Sequence, residues 1–310
     1  MSGSDAGPNN AVSLFEVLGA DQSHLVTELC RRCLDDPPTE PELVASLFSP
    51  GQPVVVQGHP ALGVVATVCT GPQGYIRLLG VDPSVRRRGH GTTLLRAAEA
   101  DLAARGATTV QVGADPPYYL YPGVPTTQTA MLCLLERHGY ERADSILNMD
   151  VDLRSLPPDP GGHALATEAE RAEVAAWLDE HWPNWKAEAL RALDGSTLVI
   201  SRDDRGLAAF CAYDVNRAGV LGPVAVRGDL WGKGAGRPLL VGALHRMRAT
   251  GRSTAEVAWV GPIRPYAGVG ATGLTLRFAH RSRDHYLEQL GAMRAVVDGL
   301  GDPTEWEPVV

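Results

Sequence analysis

The chain has 310 residues, a formal net charge of −8, 44% hydrophobic and 21% charged residues. That length suggests two domains of ordinary size and enough apolar material for two cores. The acidic balance argues against general binding to nucleic acid or an anionic membrane, so any anion site must be local. Five cysteines, an odd number, do not read as a disulfide framework. The polar start M-S-G-S-D-A-G-P-N-N lacks the basic and apolar regions of a signal peptide, and no apolar run is long enough for a membrane span. The expected location is cytoplasmic.

Along the chain, apolar spacing at Leu25, Leu29, Cys33 and Leu34 predicts a helix over residues 21–35. Cys30 and Cys33 fall inside it, and a C-x-x-C buried in a helix is packing rather than a redox pair. A short helix follows near Pro41, with Leu43, Val44, Leu47 and Phe48 on its apolar side. Strands are predicted over Pro53–Gln57, Leu62–Cys69 and Tyr75–Val81, separated by glycine turns. A helix over Gly91–Arg105 ends at Gly106, then come a strand over Thr108–Val112, a helix over residues 128–138 and a strand over Ile146–Val151. The Pro- and Gly-rich stretch 153–163 is a linker. The order then restarts, with helices over Glu168–Glu180 and Lys186–Leu193 and strands over Thr197–Ser201, Leu207–Tyr213 and Val220–Val226. A helix over Pro238–Ala249, a strand over Thr254–Trp259 and a strand over Leu274–Ala279 close the repeat. The reading is an α/β protein with a mixed, α+β type of sheet in two tandem domains: 11–152, 163–283, and a C-terminal helix and tail over 284–310.

Each half carries a basic glycine loop between a strand and a helix. The first reads Arg86-Arg87-Arg88-Gly89-His90-Gly91-Thr92; the second reads Trp231-Gly232-Lys233-Gly234-Ala235-Gly236. Gly89 and Gly234 stand 145 residues apart, at equivalent points of the repeat. Such a loop aims unpaired backbone N–H groups into one concavity, where the helix dipole favours an anion and glycine admits positive φ. Leu94 occupies the place of a third Rossmann glycine, and Gly234 has no hydroxyl for the magnesium of a Walker loop. A pyrophosphate fits the first loop well.

Arg86-x-x-Gly89-x-Gly91, the strand ending in Val81 and the Leu94-Leu95 that follows resemble the R/Q-x-x-G-x-G/A signature of the GCN5-related N-acetyltransferases, here in a tandem-domain arrangement covering about 270 residues. The resemblance implies acyl-CoA N-acyltransferase domains that transfer acetyl from acetyl-coenzyme A to a primary amine of a small molecule by direct attack. The alternative is a non-catalytic acyl-CoA sensor. It further implies that Leu79, Gly80 and Val81 pair with the pantetheine arm and that Arg86, Arg87, Arg88, Gly89, His90, Gly91 and Thr92 hold the pyrophosphate. Gly232, Lys233, Gly234 and Gly236 are the matching positions of the second half.

The family's acid is a tyrosine on the later helix. In the first half that position holds Leu135, whereas the second half keeps Tyr266 but has Trp231 in place of Arg86 and Trp259 in place of an asparagine. Tyr118, Tyr119 and Tyr121 offer a substitute in the first half; each either donates a proton or walls the acceptor channel. Asp115 reads as a turn cap before Pro116 or a proton acceptor. His24 with Glu28, and His181 with Trp182 and Trp185, read as surface and packing groups. No histidine or cysteine spacing suits a metal, so none is expected. The first domain carries the better cofactor loop, the second the better acid position.

Overall fold

The computed structural model describes residues 15–49 and 53–282. The expected helix over 284–300 lies outside them. In chain order the elements are β1 (Glu16–Val17), α1 (Ser23–Cys33), α2 (Glu40–Leu47), β2 (Val54–His59), β3 (Gly63–Thr70), β4 (Gln73–Val81), α3 (His90–Ala104), β5 (Thr109–Val112), β6 (Val124–Pro125), α4 (Thr129–Arg137) and β7 (Tyr140–Asp152). After the linker come β8 (Ala164–Leu165), α5 (Arg171–His181), α6 (Lys186–Asp194), β9 (Leu198–Asp203), β10 (Gly206–Tyr213), β11 (Val220–Val226), α7 (Gly236–Ala249), β12 (Thr254–Val257), α8 (Ile263–Ala267) and β13 (Ala271–Ser282).

Local chemistry explains the helices that border the site. α1 buries Val26, Leu29, Cys30 and Cys33, one stripe at helical spacing. α2 opens with a capping box: the Thr39 amide donates to Glu42 Oε2 at 2.6 Å, with Pro41 in the first turn. α3 buries Leu94, Leu95, Ala98 and Leu102, and Gly106 just beyond it has φ +90°, the left-handed stop expected there.

The strands form one sheet in the order β1-β2-β3-β4-β5-β13-β7-β12-β11-β10-β9-β8, with β6 attached to β13. Only β4–β5 and β11–β12 are parallel among the described pairs. Two expectations are corrected. The strand expected over Ile146–Val151 starts at Tyr140, because it pairs with β13 from Tyr140↔Ser282 onward. The last strand of the second half does not close its own repeat. β13 inserts between β5 and β7 of the first half, while β7 pairs with β12 of the second.

Helices cover both faces of this sheet. α3 packs with Ile76, Leu79 and Val110 on one face of the first half; α1 and α2 pack with Val56, Val64 and Leu78 on the other. In the second half α7 takes one face and α5 with α6 the other. The exchange is visible in the cores: Met149 and Val151 of the first half, with Leu153 just after β7, are buried with Leu239, Leu240 and Leu244 of α7.

Candidate active site

β4 is the strand on which the site is built. Its pairing with β5 runs from Gln73↔Thr109 to Ile76↔Val112 and stops there. Against β3 the register slips between Ala66↔Leu78 and Thr67↔Ile76, so Arg77 is an extra residue, a β-bulge. A bulge bends its strand, and beyond it Arg77 to Val81 run on with no strand on the β5 side. A cavity of about 790 Å³ opens along that edge. It is lined by Leu79, Gly80 and Val81, by α4 residues Met131 and Leu134, and at one end by Arg86, Arg87, Gly89, His90, Gly91 and Thr92. Of the first-half residues expected to hold the cofactor, Arg88 alone is not among the lining residues.

At that end the turn after β4 is fixed by Asp82. Its carboxylate accepts from the Ser84 amide at 2.9 Å and hydroxyl at 2.6 Å and from Arg32 Nε at 2.6 Å. The Ser84 hydrogen bond, followed by Arg32, holds the Asp82 carboxyl down at about 2. Gly89 caps α3 with φ +89°, and Arg87 also adopts positive φ, +64°. The first hydrogen bond of the helix is Thr93 N to Gly89 O, 3.0 Å. Among the described residues the amides of 87 to 92 therefore donate to no protein acceptor, as the opening turn of a helix dictates. A Cβ on Gly89 would meet nothing within 4 Å, so the space above the amides is open. Gly80 serves a different need: a Cβ there would sit 2.6 Å from Cys33 Sγ, so glycine lets α1 close on the strand. Arg86 acts as a latch, donating from Nε to Val81 O and from Nη2 to Cys33 O, both at 3.1 Å.

The opposite end of the cavity is polar. Asp35 and Asp36 follow α1, and Asp35 accepts from Gln128 Nε2 at 2.5 Å. Arg77 is buried in an ion pair with Asp115 at 2.6 Å and also donates to Ser46 O. Asp115 is thus the counterion of Arg77 rather than a turn cap; burial pushes its carboxyl up, and Arg77 opposes that shift. Tyr121 lines the cavity, donating from its hydroxyl to Asp36 O at 2.6 Å. Burial raises its pKa above the ordinary phenol, so it is protonated at neutral pH. Tyr118 lies outside the lining, its ring beneath Arg191 at 4.3 Å; Tyr119 is buried edge-on to Trp259 at 5.8 Å. Leu135 is fully buried in the core and does not line the cavity.

The second half lends residues that sequence reasoning missed. Arg217, before β11, pairs with Asp36 at 2.5 Å and lies 5.0 Å from the centre of the Tyr121 ring. Arg277 of β13 lines the cavity itself. No local pattern points to either; only the strand exchange brings them here.

The equivalent place in the second half is built differently. β11 also carries an extra residue at Gly222-Pro223 and also runs past its parallel neighbour β12. Pro223, however, has no N–H to offer along that edge. Gly232 and Gly234 have φ +75° and +81°, yet the Lys233 amide donates to Leu230 O at 3.1 Å and α7 begins at Gly236. Trp231 replaces the arginine latch, its Nε1 donating to Val226 O at 3.0 Å beside Trp182, whose ring centre is 6.1 Å away. Tyr266 packs against the second-half core, as Val224 and Val226 also do, and burial raises its pKa to about 12. Gly232, Lys233, Gly234, Gly236 and Tyr266 are therefore all remote from the cavity lining. Exposed His24 and Glu28 lie on the outer face of α1. Among the described residues no group of three or more metal-ligating side chains is gathered, and no helix is long and apolar enough to cross a membrane.

Comparison with known proteins gives the following relatives. The profile of the acetyltransferase (GNAT) family matches residues 39–118, the stretch from α2 through the loop to Tyr118. A mycothiol acetyltransferase of Kineococcus radiotolerans is 29% identical over 223 residues, which cover 64% of this chain and 69% of the relative. The fold is similar to a GCN5-related N-acetyltransferase of Sphaerobacter thermophilus (TM-score 0.65, 21% identity, 86% of this chain and 94% of that one). It is equally similar to a tandem GNAT protein from the clavulanic acid biosynthesis pathway (TM-score 0.65, 16% identity, 86% and 97%). A glucosamine N-acetyltransferase region of a fungal multi-domain β-N-acetylglucosaminidase aligns at TM-score 0.70 and 19% identity over 88% of this chain, which spans 38% of that larger protein. Residues 39–118 thus match the GNAT acetyltransferases, which together with the mycothiol acetyltransferase relative supports an acyltransferase, and the fold over most of the chain is similar to that of a tandem GNAT protein.

Proposed function

We propose that the first half binds acetyl-coenzyme A and that the protein acetylates a primary amine of a small molecule. The observation that carries this reading is the unpaired amide run 87–92 at the mouth of a cavity walled by an unpaired strand edge. The fit is chemical: a diphosphate needs convergent donors, and an extended amide arm needs a free strand edge. The amides of residues 87–92, with Arg87, would hold the diphosphate, and the backbone of Leu79, Gly80 and Val81 would pair with the pantetheine. Acetyl-coenzyme A, when bound, supplies the activated thioester.

The chain's own groups then have distinct tasks. The β4 edge positions the acyl carbonyl, and a backbone N–H on it stabilises the charge that develops on oxygen. Asp35, whose partner is a neutral amide, takes a proton from the acceptor ammonium, leaving a neutral amine to attack. Tyr121, kept protonated by burial, gives its proton to the departing sulfur and takes back the second proton that the nitrogen sheds as the amide forms. The mycothiol acetyltransferase relative supports acetyl as the group transferred.

The test is thiol release from acetyl-coenzyme A with a panel of primary amines, alongside calorimetry. Saturable binding with amine-dependent release supports the reading. Saturable binding with no release on any amine would make the chain an acyl-CoA sensor; no binding at all would end the proposal.

A further inference from the structure

The charged groups lining the cavity fall into two sets. Arg86, Arg87 and Arg137 stand on the loop and α4, where the diphosphate belongs. Asp35, Asp36, Arg77 and Arg277 stand at the other end. Within that second set two charges are matched: Arg77 by Asp115 at 2.6 Å and Asp36 by Arg217 at 2.5 Å. Asp35, exposed at the cavity wall, accepts from the Gln128 amide and has no cationic partner among the described residues. Arg277 has five N–H donors, and among the described residues they meet only Gly123 O at 3.5 Å and Glu256 at 3.6 Å, both long; its Nε has no partner. Its side chain is 9% exposed, so a shortfall of hydrogen bonds there carries a cost. Glu256 is moreover shared with the Asn148 amide.

Resting on the function proposed above, we propose that the acceptor is an amino carboxylate, with Arg277 as the specificity-determining residue that binds its carboxylate. Asp35 receives the ammonium, and the Arg277 fork receives the anion by a charge-assisted pair of hydrogen bonds. One unmatched anion and one under-used cation, both lining one end of one cavity, are the complement of a zwitterion. A substrate with hydroxyls alone would leave Arg277 with only its long contacts to Glu256 and Gly123 O and the Tyr121 ring 6.0 Å away, a weakly compensated charge in a buried place. The second half thus contributes to a site whose cradle belongs wholly to the first. The chemistry upstream is whatever releases or builds a free amino acid or an amino-acid-like product.

The experiment compares α-, β- and γ-amino acids with their own carboxamides, and with glucosamine, by acetyl-coenzyme A thiol release on the full chain. The acids are expected to exceed their amides by about 10- to 100-fold in kcat/KM, the range for one charge-assisted contact. Arg277→Gln is expected to abolish that ratio through KM, with cofactor affinity from calorimetry unchanged. Arg277→Lys, which keeps the charge and loses the fork, is expected to retain part of it, and serves if the glutamine variant does not fold. Amides used as well as acids, glucosamine preferred to both, release with none of the acids while the cofactor binds, or an undiminished ratio in Arg277→Gln would each overturn the assignment and leave the acetyl-transfer reading standing. Loss of cofactor binding in the wild type would instead sink that earlier reading.

Discussion

The two glycine loops start from the same plan and end as different objects. In both, a bulged strand outruns its parallel neighbour and its last carbonyl is held by the residue five places on. In the first half that residue is Arg86, which stretches on to Cys33 and leaves the amides above it undisturbed. In the second it is Trp231, 64% exposed and set beside Trp182, over a loop whose Lys233 amide is spent internally and a strand interrupted by Pro223. The lesson is that a glycine pattern alone does not make an anion cradle. The donors must also be left free, and the strand edge beside them must keep its N–H groups.

The paired glycines distinguish the two loops most strongly. Gly89 and Gly234 have nearly the same φ, +89° and +81°, and each has open space around an added Cβ. Valine at either position therefore carries a similar strain, about 1–3 kcal/mol. Gly89→Val is expected to weaken acetyl-coenzyme A binding by at least about 100-fold in calorimetry, equivalent to ~2.7 kcal/mol. Gly234→Val is expected to leave it unchanged. Retained binding in the Gly89 variant would move the cofactor to the other half.

Next in size is the tyrosine pair. Tyr121→Phe is expected to lower kcat by about 100-fold with cofactor affinity intact, the scale of one lost general acid. Tyr266→Phe is expected to leave kcat alone, and steady-state kinetics of both variants decide which half carries the acid. The smallest effect concerns the contact between the halves. Glu188 of α6 is fully buried, accepts from Asn216 at 3.0 Å, and burial raises its pKa to about 7. Between the ordinary glutamate value of about 4.3 and that point the folded chain holds a proton the unfolded chain has lost, so stability falls as pH rises through the window. Thermal melts of Glu188→Gln from pH 4.5 to 8 are expected to show a flatter profile than the wild type. An unchanged slope would assign the pH dependence elsewhere.

How much of this was legible in the chain depends on whether a signal is local. The strand into Val81, the loop and α3 announce themselves within twenty residues through an apolar run, two glycines and a helical stripe. The early part of β7 does not, because Glu141 to Ser145 are five successive exposed residues with no alternation to read. The exchange of β7 and β13 leaves no local trace, since Ile146 meets Arg277 across more than a hundred intervening residues. Arg277 therefore carries no signal beyond its place in a predicted strand, and Asp115 reads as a turn residue until β4 supplies Arg77 as its partner. The Leu135 position shows the opposite failure: a sequence frame matched, but the helix turns that side chain into the core.

The crossing of the two terminal strands has a consequence for anyone who would dissect this protein. Severing the backbone at the linker, near Gly161-Gly162, produces two fragments that each lack the rung the other carries. The first would expose the bare edge of β5. Co-expressed, the fragments should find each other by restoring those hydrogen-bond ladders, which would make the molecule a natural split protein whose reassembly can be followed by the return of acetyl transfer.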